Sequence, residues 1–387
     1  MLVDRAGKLR WSQVLRQPAL IVWLLYVLLI PFYVFRPGLP QPADMLTILL
    51  APIVLRRWDG RLSAEGRATF RPLLLFTFWV CVVNYGWAVW LGDYGLVGVD
   101  TFALFPIYYI YNALMFLIAL VLYRRYGEPF LRCTVTVLIG TIFFQVGASF
   151  VMRSSVARGS LFFLNPNQLG YYALLSATIV ALLHRRLKLR LLTSSIALTS
   201  CGYLAVISAS RAAAGGIALL LALLIFSNPK IIIVASLAAI SLISVGGPVA
   251  NAFKNSEDRL LNTSSKGGTF FEERGYDRLW EHEQYLLLGA GEGGFSRFED
   301  PLRGKMEIHS SPGTILFSYG IFGAFIFMVV VWRTLRRARL RNTIMLFPPL
   351  AYMIAHQGLR FTLLWVLLAF FIVLKEVPPA RAAGTAT

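Results

Sequence analysis

A few arginines, histidines and asparagines stand at the ends of apolar runs in this sequence, where residue types that bind anions and move protons would be placed. Arg211 occupies a very short turn (ISASRAAAGG, 207 to 216) between two such runs. Arg274, Arg278 and His282 recur every four residues in ERGYDRLWEHEQ, a spacing that puts them on one helical face. His309 stands just ahead of the run beginning near residue 312. Arg158 and the triplet Asn165, Pro166, Asn167 precede another, and His356 and Arg360 flank the turn between the last two. A guanidinium is a planar fork that stays charged at any working pH. An imidazole, with an unperturbed pKa of about 6.5, is largely neutral at pH 7 and can accept a proton.

Each of these residues also has a purely structural reading. Glu273, Asp277, Glu281 and Glu283 stand at helical spacing from the two loop arginines and could pair with them on a solvated face. Arg211 could anchor a helix at lipid headgroups, although a single arginine in so short an outer turn opposes the local charge rule. His309 could be an interfacial histidine bonded to a carbonyl. No Asp-x-Asp occurs, and no His/Cys/carboxylate cluster has ligand spacing, so neither a metal nor a cofactor is expected. Cys81, Cys133 and Cys201 lie inside apolar runs and read as packing residues.

The elements that must carry these residues are membrane helices. Of the 387 residues 57% are hydrophobic and only 14% charged, and mean hydropathy is +0.65. No soluble single core has that composition. Apolar runs near 18–35, 43–55, 72–91, 104–123, 131–151, 167–183, 190–208, 212–227, 231–250, 312–332, 343–357 and 361–374 predict an all-α polytopic bundle of about twelve spans. The first run follows a basic segment but lacks a small-residue cleavage site, so a retained span is expected. The run at 43–55 is short and holds Pro52, leaving a tilted or re-entrant segment open. A single integral-membrane domain is expected, with residues 376–387 as a flexible cytoplasmic tail.

The net charge of +18 could suggest a nucleic-acid partner. With the N-terminus inside, however, the basic clusters at 56–71, 124–132, 185–190 and 333–341 all fall on one side. The positive-inside rule then accounts for the excess, and no nucleic acid is needed. Both termini are expected in the cytoplasm. The 251–311 connector is expected outside, carrying a short amphipathic helix on the membrane surface within 273–295. Gly289, Gly291 and Gly294 satisfy G-x-G-x-x-G, but no strand precedes them and no βαβ unit follows. A tight turn admitting close backbone approach is the reading for them.

Five segments in order resemble the O-antigen ligase and polymerase family of bacterial envelope glycosyltransferases. They are the Asn165-Pro166-Asn167 helix start, Ser210-Arg211 followed by small residues, Arg278-Leu279-Trp280, the glycine-rich LGAGEGGF (288 to 295), and His309 with Gly320 and Gly323 downstream. The resemblance covers about residues 158 to 325. It departs from the family's pattern at Ser310, where many members have asparagine.

The resemblance implies inverting, metal-independent transfer of a glycan from undecaprenyl diphosphate to a hydroxyl at the periplasmic face of the inner membrane. Arg211 and Arg278 would neutralise the diphosphate and His309 would take the acceptor's proton. Arg158, Asn165, Asn167, Arg274, His282, His356 and Arg360 would bind substrate. The acceptor would be another lipid-linked glycan for a polymerase, the reading favoured by Ser310, or the lipid A core for a ligase. Other polysaccharide-assembly proteins are possible partners besides the bilayer. A flippase or transporter is the rival class, but the spans hold almost no ionisable residues and no internal repeat is visible.

Overall fold

The computed structural model describes residues 9–35, 39–93, 95, 101–152, 159–225, 230, 269–298 and 307–375. The expected ninth span (231–250), Arg158 and the 376–387 tail lie outside the described residues. Within them the chain is helical, with no β-strand. The longer helices are α2 (Pro18–Leu29), α3 (Pro42–Leu55), α4 (Ala64–Leu91), α5 (Leu104–Tyr126), α6 (Glu128–Val151), α7 (Pro166–Leu187), α8 (Leu191–Ile207), α9 (Arg211–Ile225), α12 (Ser311–Leu335), α13 (Leu340–Ala355) and α14 (Thr362–Lys375). Short pieces complete the set: α1 (Trp11–Val14), α10 (Phe270–Glu273) and α11 (Arg278–Glu281).

Four helices, α4, α5, α6 and α12, are long and apolar enough to cross a membrane, while α2, α3, α8, α9 and α14 are shorter apolar helices. The described residues thus form an all-helical structure with the apolar helices of a membrane protein. The figure of twelve spans is an expectation that goes beyond this observation. Phe78, Val89 and Trp90 on α4 and Phe325 and Met328 on α12 are exposed, an apolar surface that lipid would cover. In contrast, α7 is buried continuously from Leu169 to His184. Apolar on all sides, it forms the centre against which α8, α9, α13 and α14 pack.

The helices alternate between two ends. At one end the basic loops are tied together: Arg124 pairs with Asp59 at 2.8 Å, Arg186 with Glu128 at 2.9 Å, and Lys375 with Glu65 at 2.8 Å. Lys375 also donates to the carbonyls of Arg333, Thr334 and Arg336, satisfying the last turn of α12. The run at 43–55 leads into this end. Its start lies at the other end, where Gln41 bonds the backbone around Phe35 and Tyr33 N–H donates to Phe162 O at 3.0 Å. α3 therefore runs from one end of the bundle to the other, although its 14 residues reach only about 21 Å at 1.5 Å each.

The amphipathic helix expected within 273–295 does not form. Two helices of four residues each stand there, Phe270–Glu273 and Arg278–Glu281, separated by a turn at Gly275 with φ +73°. A left-handed residue cannot continue a right-handed helix. His282, at φ −132° and ψ 51°, ends the second piece. The four-residue spacing of Arg274, Arg278 and His282 is consequently not a shared helical face.

Candidate active site

The site grows from a break in α12. Gly320 has φ 67° and ψ −174° inside this helix, so nearby carbonyls lose their helical partners. The glycine-rich loop supplies replacements. Ala290 N–H donates to Phe317 O and Gly291 N–H to Ser318 O, both at 2.9 Å, and Ile321 N–H donates to Leu286 O at 2.8 Å. From α4, Trp79 Nε1 donates to Tyr319 O at 2.8 Å and Trp87 Nε1 to Gly289 O at 3.0 Å.

This is the close backbone approach read from the glycines, and the surface approached is a helix. Glycine is required at its two tightest points. A Cβ on Gly289 (φ +99°) would lie 2.3 Å from Ser318 O, and one on Gly320 would lie 2.4 Å from Leu287 O. Gly289→Ala or Gly320→Ala is expected to remove most of the folded protein at growth temperature. Gly60→Ala, also at positive φ (+72°) but with no atom within 4 Å, should cost only about 1–2 kcal/mol. Thermal unfolding in detergent measures the contrast, and equal losses for all three variants would contradict it.

Docking of the loop buries Glu292, which is 1% exposed. Its backbone is gripped by Asn84, whose Nδ2 donates to Glu292 O at 2.7 Å and whose Oδ1 accepts from Glu292 N–H at 3.1 Å. One carboxylate oxygen accepts from Tyr109 OH (3.1 Å) and Tyr319 OH (2.6 Å). The other accepts from Gln357 Nε2 at 3.4 Å and from Arg360 through Nε at 3.0 Å and through Nη2. Arg360 also pairs with Glu307 at 2.5 Å, and its guanidinium lies 4.4 Å over the Phe105 ring. Burial opposes the charge of Arg360, but Glu292 and Glu307 outweigh it and raise its pKa above the ordinary arginine value.

A narrow cleft opens beside this ion cluster, with Arg278, Glu292, Glu307, Thr314 and Ser318 among its lining residues. Arg278 is only 8% exposed and lies 5.4 Å over the Phe298 ring. His309 N–H donates to Arg274 O at 3.0 Å, which fastens the histidine segment to the arginine segment. His309 is exposed, and its pKa is lowered. Loss of water is the largest cause; Glu307 pulls the other way, and Arg274, Arg360 and Arg278 add to the lowering. The shift favours the neutral ring, the form that accepts a proton.

Next to it, Ser310 caps α12. Its Oγ accepts from Gly313 N–H at 3.2 Å and bonds Tyr276 OH. Ser311 ties the same helix start to the α13–α14 turn, bonding Gln357 Oε1 at 2.9 Å and accepting from Gly358 N–H at 2.9 Å.

Of the residues picked out in the sequence, Arg274, Arg278, His309 and Arg360 thus come together. Asn165 caps α7 by accepting from Asn167 N–H at 2.8 Å, with Pro166 in the first turn, as the triplet predicts. Asn167 O accepts from Tyr352 OH at 3.1 Å. Tyr352 stacks on Tyr171 (4.2 Å) and on His356 (4.7 Å). The triplet and His356 therefore belong to one wall at the same end of the bundle, their described contacts being structural. Arg211 opens α9 at that end and is exposed. His282 packs among Tyr285, Phe298 and Phe317, 5.0 Å from the Phe298 ring, the ring that Arg278 also covers.

Sequence reasoning did not single out Glu292 or Glu307. The available signal for Glu292 was an acid set between two glycines within an apolar stretch. Among the described residues no group of His, Cys, Asp and Glu could hold a metal ion. No family model matches the chain, and no curated protein matches it.

Proposed function

We propose that this chain is an inner-membrane glycosyltransferase that moves a glycan from undecaprenyl diphosphate to a hydroxyl acceptor at the periplasmic face. The observation that carries the reading is the convergence of Arg274 and Arg278 about His309, beside the cleft that Arg278 lines. That cleft lies at the end of the bundle opposite the basic loops, which the positive-inside rule assigns to the cytoplasm. A diphosphate is already a good leaving group, so its departure calls for neutralisation of growing negative charge more than for a proton. Arg278, which lines that cleft, suits that task, with Arg274 also near His309 and Arg211 at the same end of the bundle. His309, held neutral, takes the proton of the attacking hydroxyl, and the chemistry draws on no metal.

Arg360 has a different part from the substrate-binding one read from its position: two carboxylates already occupy its guanidinium. Ser310 acts as a helix cap, which asparagine performs equally well, so this position does not separate a polymerase from a ligase.

Gene deletion distinguishes the acceptors. For a polymerase the long-chain glycan ladder disappears, with at most one repeat on the final acceptor. For a ligase full-length polymer accumulates on the carrier lipid. Substrate held on the inner leaflet, with nothing reaching the outer face, would refute glycan transfer and indicate a flippase.

A further inference from the structure

Glu292 has no part in the mechanism above, yet it is the most heavily bonded buried charge described in the molecule. Its partners come from four separate places: Tyr109 on α5, Tyr319 on α12, and Gln357 and Arg360 in the α13–α14 turn, with Asn84 on α4 holding its backbone. A buried carboxylate is costly unless it is paired and fully hydrogen-bonded, and here it is. Stability alone does not call for such a group, since apolar residues of similar volume often serve as well. The arrangement instead points outward. From Glu292 the chain of contacts runs to Arg360, from Arg360 to Glu307, and Glu307 stands two residues before His309 in the segment that His309 shares with the cleft.

We propose that Glu292 is a positioning residue for the reaction. It anchors Arg360, Arg360 holds the Glu307 carboxylate, and that bridge fixes both the place and the electrostatic surroundings of His309. The inference rests on the glycosyltransferase reading. It assigns the charged Arg360 to the protein's own carboxylates. The charged groups facing His309 are Glu307, which favours its protonated form, and Arg274, Arg278 and Arg360, which oppose it. When Glu292 loses its charge, Arg360 is left to Glu307 alone and neutralises it more completely. The field of Glu307 at His309 weakens, so the pKa of the histidine falls further.

The test is Glu292→Gln, which keeps the shape and loses the charge, with Arg360→Lys, Arg360→Met and Glu307→Gln alongside. Each is purified as the full chain and assayed with lipid-linked glycan across pH. Glu292→Gln is expected to lower kcat at least about tenfold, within the range a mispositioned general base forfeits, with KM for the donor changed less than about threefold. The acidic limb of its kcat profile should move to lower pH, as should that of Glu307→Gln. Arg360→Lys should retain more activity than Arg360→Met, because a lysine still bridges the two carboxylates.

An unchanged kcat and an unmoved limb in Glu292→Gln would overturn the proposal. So would a loss of activity matched by a loss of thermal stability with the limb unmoved, which would mark Glu292 as a packing group. If the wild-type chain transfers no glycan, the functional reading fails first. If it does and Glu292→Gln behaves normally, only this inference fails.

Discussion

Arg278→Ala is expected to lower glycan transfer by roughly 10²–10³-fold while the protein remains inserted and abundant. Removing one preorganised group aimed at developing charge costs about that much in an enclosed site. The side chain is nearly buried, lines the cleft and lies over the face of Phe298, so the change withdraws a positive charge from the cleft. Arg278→Lys should recover little, since a compact ammonium replaces neither the fork nor the stacking on the ring. Arg211→Ala should also impair transfer, and near-normal activity in either alanine variant would remove that residue from the site.

His309→Ala is expected to cost roughly 10²–10⁴-fold in kcat, the span of a lost general base. Its signature is in the pH profile. Because the His309 pKa is lowered below its ordinary 6.5, wild-type kcat should be flat around neutrality and fall only as pH drops through that lowered value. Below it the ring is protonated and cannot accept the acceptor's proton. His309→Gln, which cannot titrate, should lose this limb altogether. A wild-type limb above pH 6.5, or one that persists in His309→Gln, would give the base role to another group.

How much of this could be read in advance depends on what each feature rests upon. The apolar helices and the common side of the basic loops follow from hydropathy and charge, properties of long windows that local detail does not erase. The cap at Asn165 and Pro166 was legible because capping is local chemistry, satisfied within three residues. The helix expected within 273–295 gives way to short pieces because Gly275 takes a left-handed conformation and His282 leaves the helical region, neither of which periodicity registers. Glu292 was hidden for a different reason: its partners stand at positions 84, 109, 319, 357 and 360, and nothing local announces a network closed across that distance. Arg360 was visible as a cation in a turn, but its two carboxylate partners were not, and they change its role.

The central claim is tested most directly by purified protein in proteoliposomes, supplied with undecaprenyl-diphosphate-linked repeat units and, separately, lipid A core as acceptor. The account predicts glycan-transfer product in at least one reaction, undiminished by EDTA and lost in both Arg278→Ala and His309→Ala. No product with either acceptor while the lipid-linked units cross the bilayer, or product that requires an added divalent metal, would contradict it.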